Sequence, residues 1–228
     1  QTIINTALAP YLGDFCSAYV DDILVYSRTI QQHLSNLRKV LRRLQIARLY
    51  LAFEKCTWLT RKVQFLGHMI SAAGISPCPD KVQAIREWPI PTDFASLQQF
   101  LGFVNYYRRY VGANDSFAHI TTPLTDLLRS PEKRRTPSLK DIHHIPLKKP
   151  FKVKKQIFRH TFTWPPASNA AFKNIKEALC SAPLLQVPNT SKPFRLHTDA
   201  STYALGAVLS QSNPNNPTIW APVAFYSR

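Results

Sequence analysis

Two rhythms of apolar positions run along this chain, a strand-like period of two and a helical period near 3.6. Ile4, Leu8 and Leu12 share one face of a short amphipathic helix over 2–13, which Pro10 must bend or end. Two strand-like runs, 15–20 and 23–27, meet at Asp21-Asp22 in a hairpin pattern. Thr29 can cap the next helix, where Ile30, Leu34, Leu37, Leu41 and Leu44 recur at helical spacing. Its other face carries Arg38, Lys39, Arg42 and Arg43. Leu49, Leu51 and Phe53 alternate with Tyr50 and Ala52, which predicts a strand. Val63 to Ile70 predicts another, broken by Gly67, and Gly74 offers a turn before Ile75.

From there the pattern turns helical. Pro79-Asp80 suits the first turn of a helix carrying Val82, Ile85 and Trp88, and Pro89 and Pro91 stop it. Thr92 starts the next, with Leu97, Phe100, Leu101 and Val104 on its buried side and Tyr106-Tyr107-Arg108-Arg109-Tyr110 at its end. A third helix is expected near 117–128, with Pro123 inside it. Further on, Ser168 caps a helix presenting Phe172, Ile175 and Leu179. Strands at 194–198, 205–211 and roughly 219–226 follow, with Gly206 in the second and a turn over 213–217 before the third. Three strands with no helix after them make a thin, unfinished sheet. The fold class is α+β.

Composition narrows the partners. Apolar residues make up 45% of the 228, enough for an ordinary core. Cys16, Cys56, Cys78 and Cys180 show no CxxC spacing and no nearby His to complete a zinc site, which points to reduced thiols in an intracellular setting. No run is long enough to cross a membrane, and no basic-then-apolar leader opens the chain. Its first residue is Gln1 rather than Met, so a piece of something longer is expected. Net charge is +16, with 29 basic residues against 13 acidic, and such an excess favours a polyanionic partner. Eleven basic residues and only two acids lie between Arg129 and Arg159, with Pro131, Pro137, Pro146 and Pro150 among them. That stretch reads as a linker that also contacts nucleic acid.

The chemistry concentrates at Tyr19-Val20-Asp21-Asp22. Adjacent carboxylates repel each other, and a divalent cation removes that cost because hard oxygen ligands suit Mg²⁺. An Asp-Asp pair alone is equally an ordinary polar turn. Its surroundings decide between the two.

Tyr19-Val20-Asp21-Asp22-Ile23-Leu24-Val25-Tyr26-Ser27 resembles the polymerase active-site hairpin of reverse transcriptases. The resemblance continues in order through His33-Leu34 and Leu37-Arg38-Lys39-Val40-Leu41, Leu49-Tyr50-Leu51, Glu54-Lys55-Cys56 and Phe65-Leu66-Gly67-His68-Met69-Ile70-Ser71. It then takes in Phe100-Leu101-Gly102-Phe103-Val104-Asn105-Tyr106-Tyr107-Arg108-Arg109 and Pro123-Leu124-Thr125-Asp126-Leu127-Leu128. Beyond 161, Phe162-Thr163-Trp164, Ala171-Phe172, Thr198-Asp199-Ala200-Ser201, Gly206-Ala207-Val208-Leu209-Ser210-Gln211 and the run Pro222 to Arg228 resemble the entry to a ribonuclease H domain. The whole is similar to part of a gypsy-type LTR retrotransposon polyprotein.

This resemblance implies a partial reverse transcriptase palm over 1–75, a helical thumb over 76–129, a basic linker over 130–161 and an incomplete ribonuclease H-like three-stranded sheet over 162–228. It implies RNA-directed DNA polymerase and ribonuclease H chemistry by two metal ions, Mg²⁺ or Mn²⁺. Asp21 and Asp22 would hold the polymerase metals and Asp199 would be the first metal-binding acid of the ribonuclease H site. Tyr19 and Val20 would lie beneath the primer end, with Phe65, Leu66, Gly67 and His68 positioning the primer strand. Tyr106, Tyr107, Arg108 and Arg109 suit duplex contact, although the rings suit thumb core equally well. Taken singly, Gly67 is a strand kink, His68 an ordinary histidine and Asp199 an ordinary strand-end acid. The implied partners are an RNA template, a DNA primer, an RNA–DNA hybrid and the remaining polyprotein segments, in cytoplasm or nucleus and without a membrane. The family also needs an Asp upstream of the hairpin and a Glu beyond the third strand of the ribonuclease H sheet. The isolated chain is therefore expected to be inactive, and a non-catalytic nucleic-acid-binding protein or a fragment that folds only against its polyprotein are the other readings.

Overall fold

A computed structural model describes residues 1–112, 116–129, 161–200, 204–214 and 216–228. The expected linker, apart from residue 161, lies outside them. Helices and antiparallel sheets are both present, as the α+β expectation requires. The chain divides into two compact units, Gln1–Cys78 and Pro79–Arg228.

The first unit runs α1 (Thr2–Leu8), β1 (Cys16–Tyr19), β2 (Asp22–Val25), α2 (Ile30–Ile46), β3 (Lys62–Phe65), β4 (His68–Ser71) and β5 (Gly74–Pro77). Strands β1 and β2 form a hairpin, and β3-β4-β5 form an antiparallel meander. Helix α1 ends two residues before Pro10, yet Ile4, Leu8 and Leu12 still meet the core built on Leu8, Cys16, Val40 and Leu44.

Thr29 caps α2 as expected, its hydroxyl accepting from the Gln32 amide at 3.2 Å. The buried stripe differs from the expected one. Asn36, Val40 and Leu44 are buried, whereas Ile30 is 66% exposed and Leu34 38%. A row at i, i+4, i+8 is a single helix ridge, and here it carries a polar member. The Asn36 amide donates to Ser27 Oγ at 3.0 Å, so its burial leaves a bonded group rather than an orphan.

No strand forms over 49–53. Arg48, at φ 54, turns the chain left-handed after α2. Its amide donates to Gln45 O and the Leu49 amide to Leu44 O, at 3.0 and 2.9 Å. That is the paired bonding of a Schellman cap, with Leu49 as the apolar residue that folds back on the core. Phe53–Lys55 is a short 3-10 turn, and Tyr50, Leu51 and Phe53 are exposed.

The second unit contains α3 (Pro79–Glu87), α4 (Phe94–Tyr106), α5 (Phe117–Leu127), α6 (Pro166–Cys180), β6 (Phe194–Ala200), β7 (Leu205–Ser212) and β8 (Trp220–Ser227). Asp93, one residue after the expected Thr92, caps α4 in a reciprocal box with Ser96. Helix α6 starts at Pro166, so Ser168 sits inside the first turn and is buried instead of capping it. A proline suits that first position because the N–H it lacks would have no acceptor within the helix.

Phe100 is the centre of the helical core. Its ring lies 4.6 Å from Phe172 of α6 and 5.8 Å from Trp88, centroid to centroid. Helix α6 packs on α3 and α5, while β8 packs on α5 and on the 3-10 turn Arg108–Tyr110. The Ala118 amide donates to Ser227 Oγ at 3.0 Å. Gly112, at φ +156, runs so close to β8 that an added Cβ would sit 2.7 Å from Phe225 Cδ1. The sheet has the order β6-β7-β8, antiparallel throughout, with an irregularity at Leu209/Ser210. Every residue of β6 is exposed.

Candidate metal-binding hairpin and nucleic-acid contacts

Tyr19 pairs with Asp22 at the end of the first hairpin. The turn is therefore Val20-Asp21, and Asp22 is the first residue of β2 rather than part of the turn. Val20 has φ 53, which strains a β-branched side chain, and Asp21 does not share a positive φ. A positive φ at the first turn residue alone is the sign pattern of a type II′ turn, a connection normally given to glycine. Strain of this kind persists where surrounding contacts over-determine it. One such contact is visible: the Val20 amide donates to Gln1 Oε1, and Gln1 Nε2 donates to Ala18 O at 3.4 Å. Tyr19, Val20, Asp21 and Asp22 are all exposed. Below the tip, burial first, then Cys16 and Asp14, push the Tyr26 phenol above its ordinary range.

Leu66 and Gly67 form the two-residue turn between β3 and β4, both at positive φ (49 and 72). The expected single strand broken at Gly67 is thus a hairpin with a type I′ sign pattern. Phe65 pairs with His68 across it, and both are half-buried. The Cys78 amide donates to Gly67 O at 3.0 Å, fixing the turn from the far side of the meander.

At the end of α4, Tyr107 and Tyr110 are only 2% and 1% exposed, so Tyr107 takes the core alternative. Tyr106, Arg108 and Arg109 face outward. The Arg108 guanidinium lies 5.9 Å from the Tyr226 ring centre. Asp199 is exposed on β6, opposite Gly206 of β7. All four cysteines are free, with Cys16 and Cys78 buried and Cys56 and Cys180 half-buried. No helix among the described residues is long and apolar enough to cross a membrane.

Among the described residues, no three His, Cys, Asp or Glu side chains gather into a metal-binding group. The hairpin tip supplies two. Asp21 and Asp22 are adjacent, exposed, hard oxygen donors, and that donor set fits Mg²⁺ or Mn²⁺ in kind.

Residues 1–70 match the family described as reverse transcriptase (RNA-dependent DNA polymerase). Residues 164–228 match the RNase H-like domain found in reverse transcriptase. Over 228 residues the chain is 36% identical to the retrovirus-related Pol polyprotein from transposon opus of Drosophila melanogaster, covering 100% of this chain and 20% of that protein. The chain thus carries reverse transcriptase and RNase H-like segments and is similar along its whole length to part of a retrotransposon Pol polyprotein. The Pol polyprotein from transposon 297 of the same fly is 34% identical, with 100% of this chain and 18% of that protein covered. The transposon Tf2-3 polyprotein of Schizosaccharomyces pombe is 32% identical over 227 residues, covering 100% and 15%. The chain thus spans a fifth or less of the relatives' length. Its fold is similar to that of the foamy viral protease-reverse transcriptase solved with double-stranded DNA. The TM-score is 0.74 at 22% identity, covering 100% of this chain and 34% of that one.

The reading from sequence missed Gln1, the left-handed backbone of Leu66, a residue it had named, and the one-residue offset of the first turn. Backbone φ carries two of these. A valine or leucine at positive φ leaves no composition signal, because the residue usually chosen there is glycine.

Proposed function

We propose that this chain is the part of a gypsy-type retrotransposon Pol that presents the catalytic hairpin, primer grip and thumb of an RNA-directed DNA polymerase, joined to the start of its ribonuclease H domain. The observation that carries the reading is the strained, exposed Val20-Asp21 turn, which holds two neighbouring carboxylates out at a hairpin tip. Asp21 and Asp22 would hold Mg²⁺ or Mn²⁺, which when bound supplies charge neutralisation at a phosphoryl centre. Tyr19 and Val20 form the surface on which a primer end would rest. Phe65, Leu66, Gly67 and His68 would orient the primer strand from the second turn, and Tyr106, Arg108 and Arg109 would meet duplex phosphates. Asp199, on a strand open at both faces, would serve the ribonuclease H site in the same way. An RNA template, a DNA primer and an RNA–DNA hybrid are the partners this implies.

Two-metal chemistry depends on several preorganised ligands, and two acids at the tip do not assemble them. The isolated chain is therefore proposed to be inactive, and the complete polyprotein active. Primer extension on an RNA template tests both halves. The complete protein should extend, Asp21→Asn should remove extension, and the isolated 228-residue chain should give none. Extension by the isolated chain, or full activity in the Asp21→Asn polyprotein, would sink the proposal.

A further inference from the structure

A groove of about 640 Å³ lies between the end of α3 and α6. None of the residues discussed above as catalytic or duplex-contacting lines it. Its volume is in the range that holds a small organic ligand. Trp88, Ile90 and Phe172 supply apolar surface, and Ile90 is 54% exposed. Arg86, Lys173 and Lys176 supply positive charge along the same groove.

We propose that this groove takes an unpaired nucleotide of a single-stranded nucleic acid. A planar base needs an apolar, aromatic face, and its phosphate needs cations beside that face. Both lie within one cleft here. A duplex keeps its bases stacked in pairs and would offer the cleft only sugar and phosphate, leaving the exposed Ile90 uncovered.

Lys176 strengthens the case because it is already in position. Its ammonium donates to Trp88 O at 2.8 Å and lies 4.8 Å from the Phe172 ring centre. An ammonium carries three N–H donors, so two remain after the Trp88 bond. A cation held in place loses less freedom on binding than a mobile one. Among the described residues the only acid lining the groove, Glu177, lies 3.7 Å from Lys173, and both ends of that pair are largely exposed, so it holds Lys173 weakly. The balance of charge in the groove stays positive, in a chain of net charge +16. An acidic aromatic peptide shares some of this chemistry and becomes an outcome of the test.

The site is on the Pro79–Arg228 unit and does not use the hairpin, so Asp21→Asn should leave it unchanged. The test uses the full chain and a short single-stranded thymidine oligonucleotide carrying 4-thiothymidine, photo-crosslinked and mapped by mass spectrometry. Crosslinks are expected on the peptides containing Trp88–Ile90 or Phe172–Lys176. The Arg86→Gln/Lys173→Gln variant, changed only at exposed positions, should lose them and lower the slope of log affinity against log salt by about two. Ile90→Glu should lose the crosslinks while the thermal transition stays in place. Crosslinks confined to other peptides, or groove crosslinks unaffected by either variant, would overturn the proposal. So would stronger competition from a Glu/Tyr copolymer than from unlabelled oligonucleotide.

Discussion

Tyr19 and Asp22 face each other across the first hairpin, which makes Val20 and Asp21 the whole of its turn. A valine at φ 53 costs free energy that a glycine would not. Val20→Gly should therefore raise the stability of the Gln1–Cys78 unit by about 1 kcal/mol, partly offset by the greater freedom of glycine in the unfolded chain. Urea unfolding read by hydrogen exchange at β1 and β2 measures it. A loss of stability would show that the turn is not strained.

Gln211 staples the second unit with its side chain. Its amide donates to Asn189 O at 2.8 Å and Lys192 O at 3.1 Å, and its carbonyl accepts from the Asn189 amide at 2.9 Å. The side chain is fully buried on β7, so it fixes the 189–193 segment that leads into β6 and on to Asp199. Gln211→Leu keeps the bulk and leaves those backbone groups unmatched, which should cost about 2–3 kcal/mol. Denaturant unfolding should show the loss, with faster amide exchange at Asn189. An unchanged midpoint would mean the segment is held by other contacts.

Burial pushes the Tyr110 phenol up to about 12, with Arg109 working against the shift. An unfolded tyrosine ionises near 10. Between those values the unfolded chain gives up a proton that the folded chain keeps, so stability falls as pH rises. The stabilisation is complete below about pH 10 and is lost through about 12. Tyr110→Phe should flatten that alkaline fall in thermal midpoint. A fall of the same steepness in the variant would assign it to another group.

Hairpins and helix cores were legible in the sequence because period and turn chemistry agree there. Leu97, Phe100 and Val104 recur at helical spacing and are buried, and the runs on either side of the acid pair form the expected strands. What was not legible depends on bonds between distant or non-periodic groups. Leu49 alternates like a strand residue, but the left-handed Arg48 commits it to a helix cap. Ser168 is a favoured capping residue, yet Pro166 starts the helix before it. The α2 stripe shifted because Asn36 could be buried against Ser27, a partner that no periodicity reveals. At the candidate site, identity of the acids was readable from their neighbours, while the turn register depended on φ at Val20.

The thumb-like helices and the final sheet were expected as separate segments, 76–129 and 162–228. Phe100 joins them, with Trp88 on one side and Phe172 of α6 on the other. Phe100→Ala removes a fully buried ring at that junction and should cost about 3–5 kcal/mol. Because α6 packs on both α3 and α5, the loss should not be confined to α4. Amides of α4, α6 and β8 should then gain exchange rate together, and Trp88 fluorescence and circular dichroism should report one unfolding transition for Pro79–Arg228. If α4 destabilises while α6 and β8 keep their protection, the two segments fold independently and the shared core is only a contact surface.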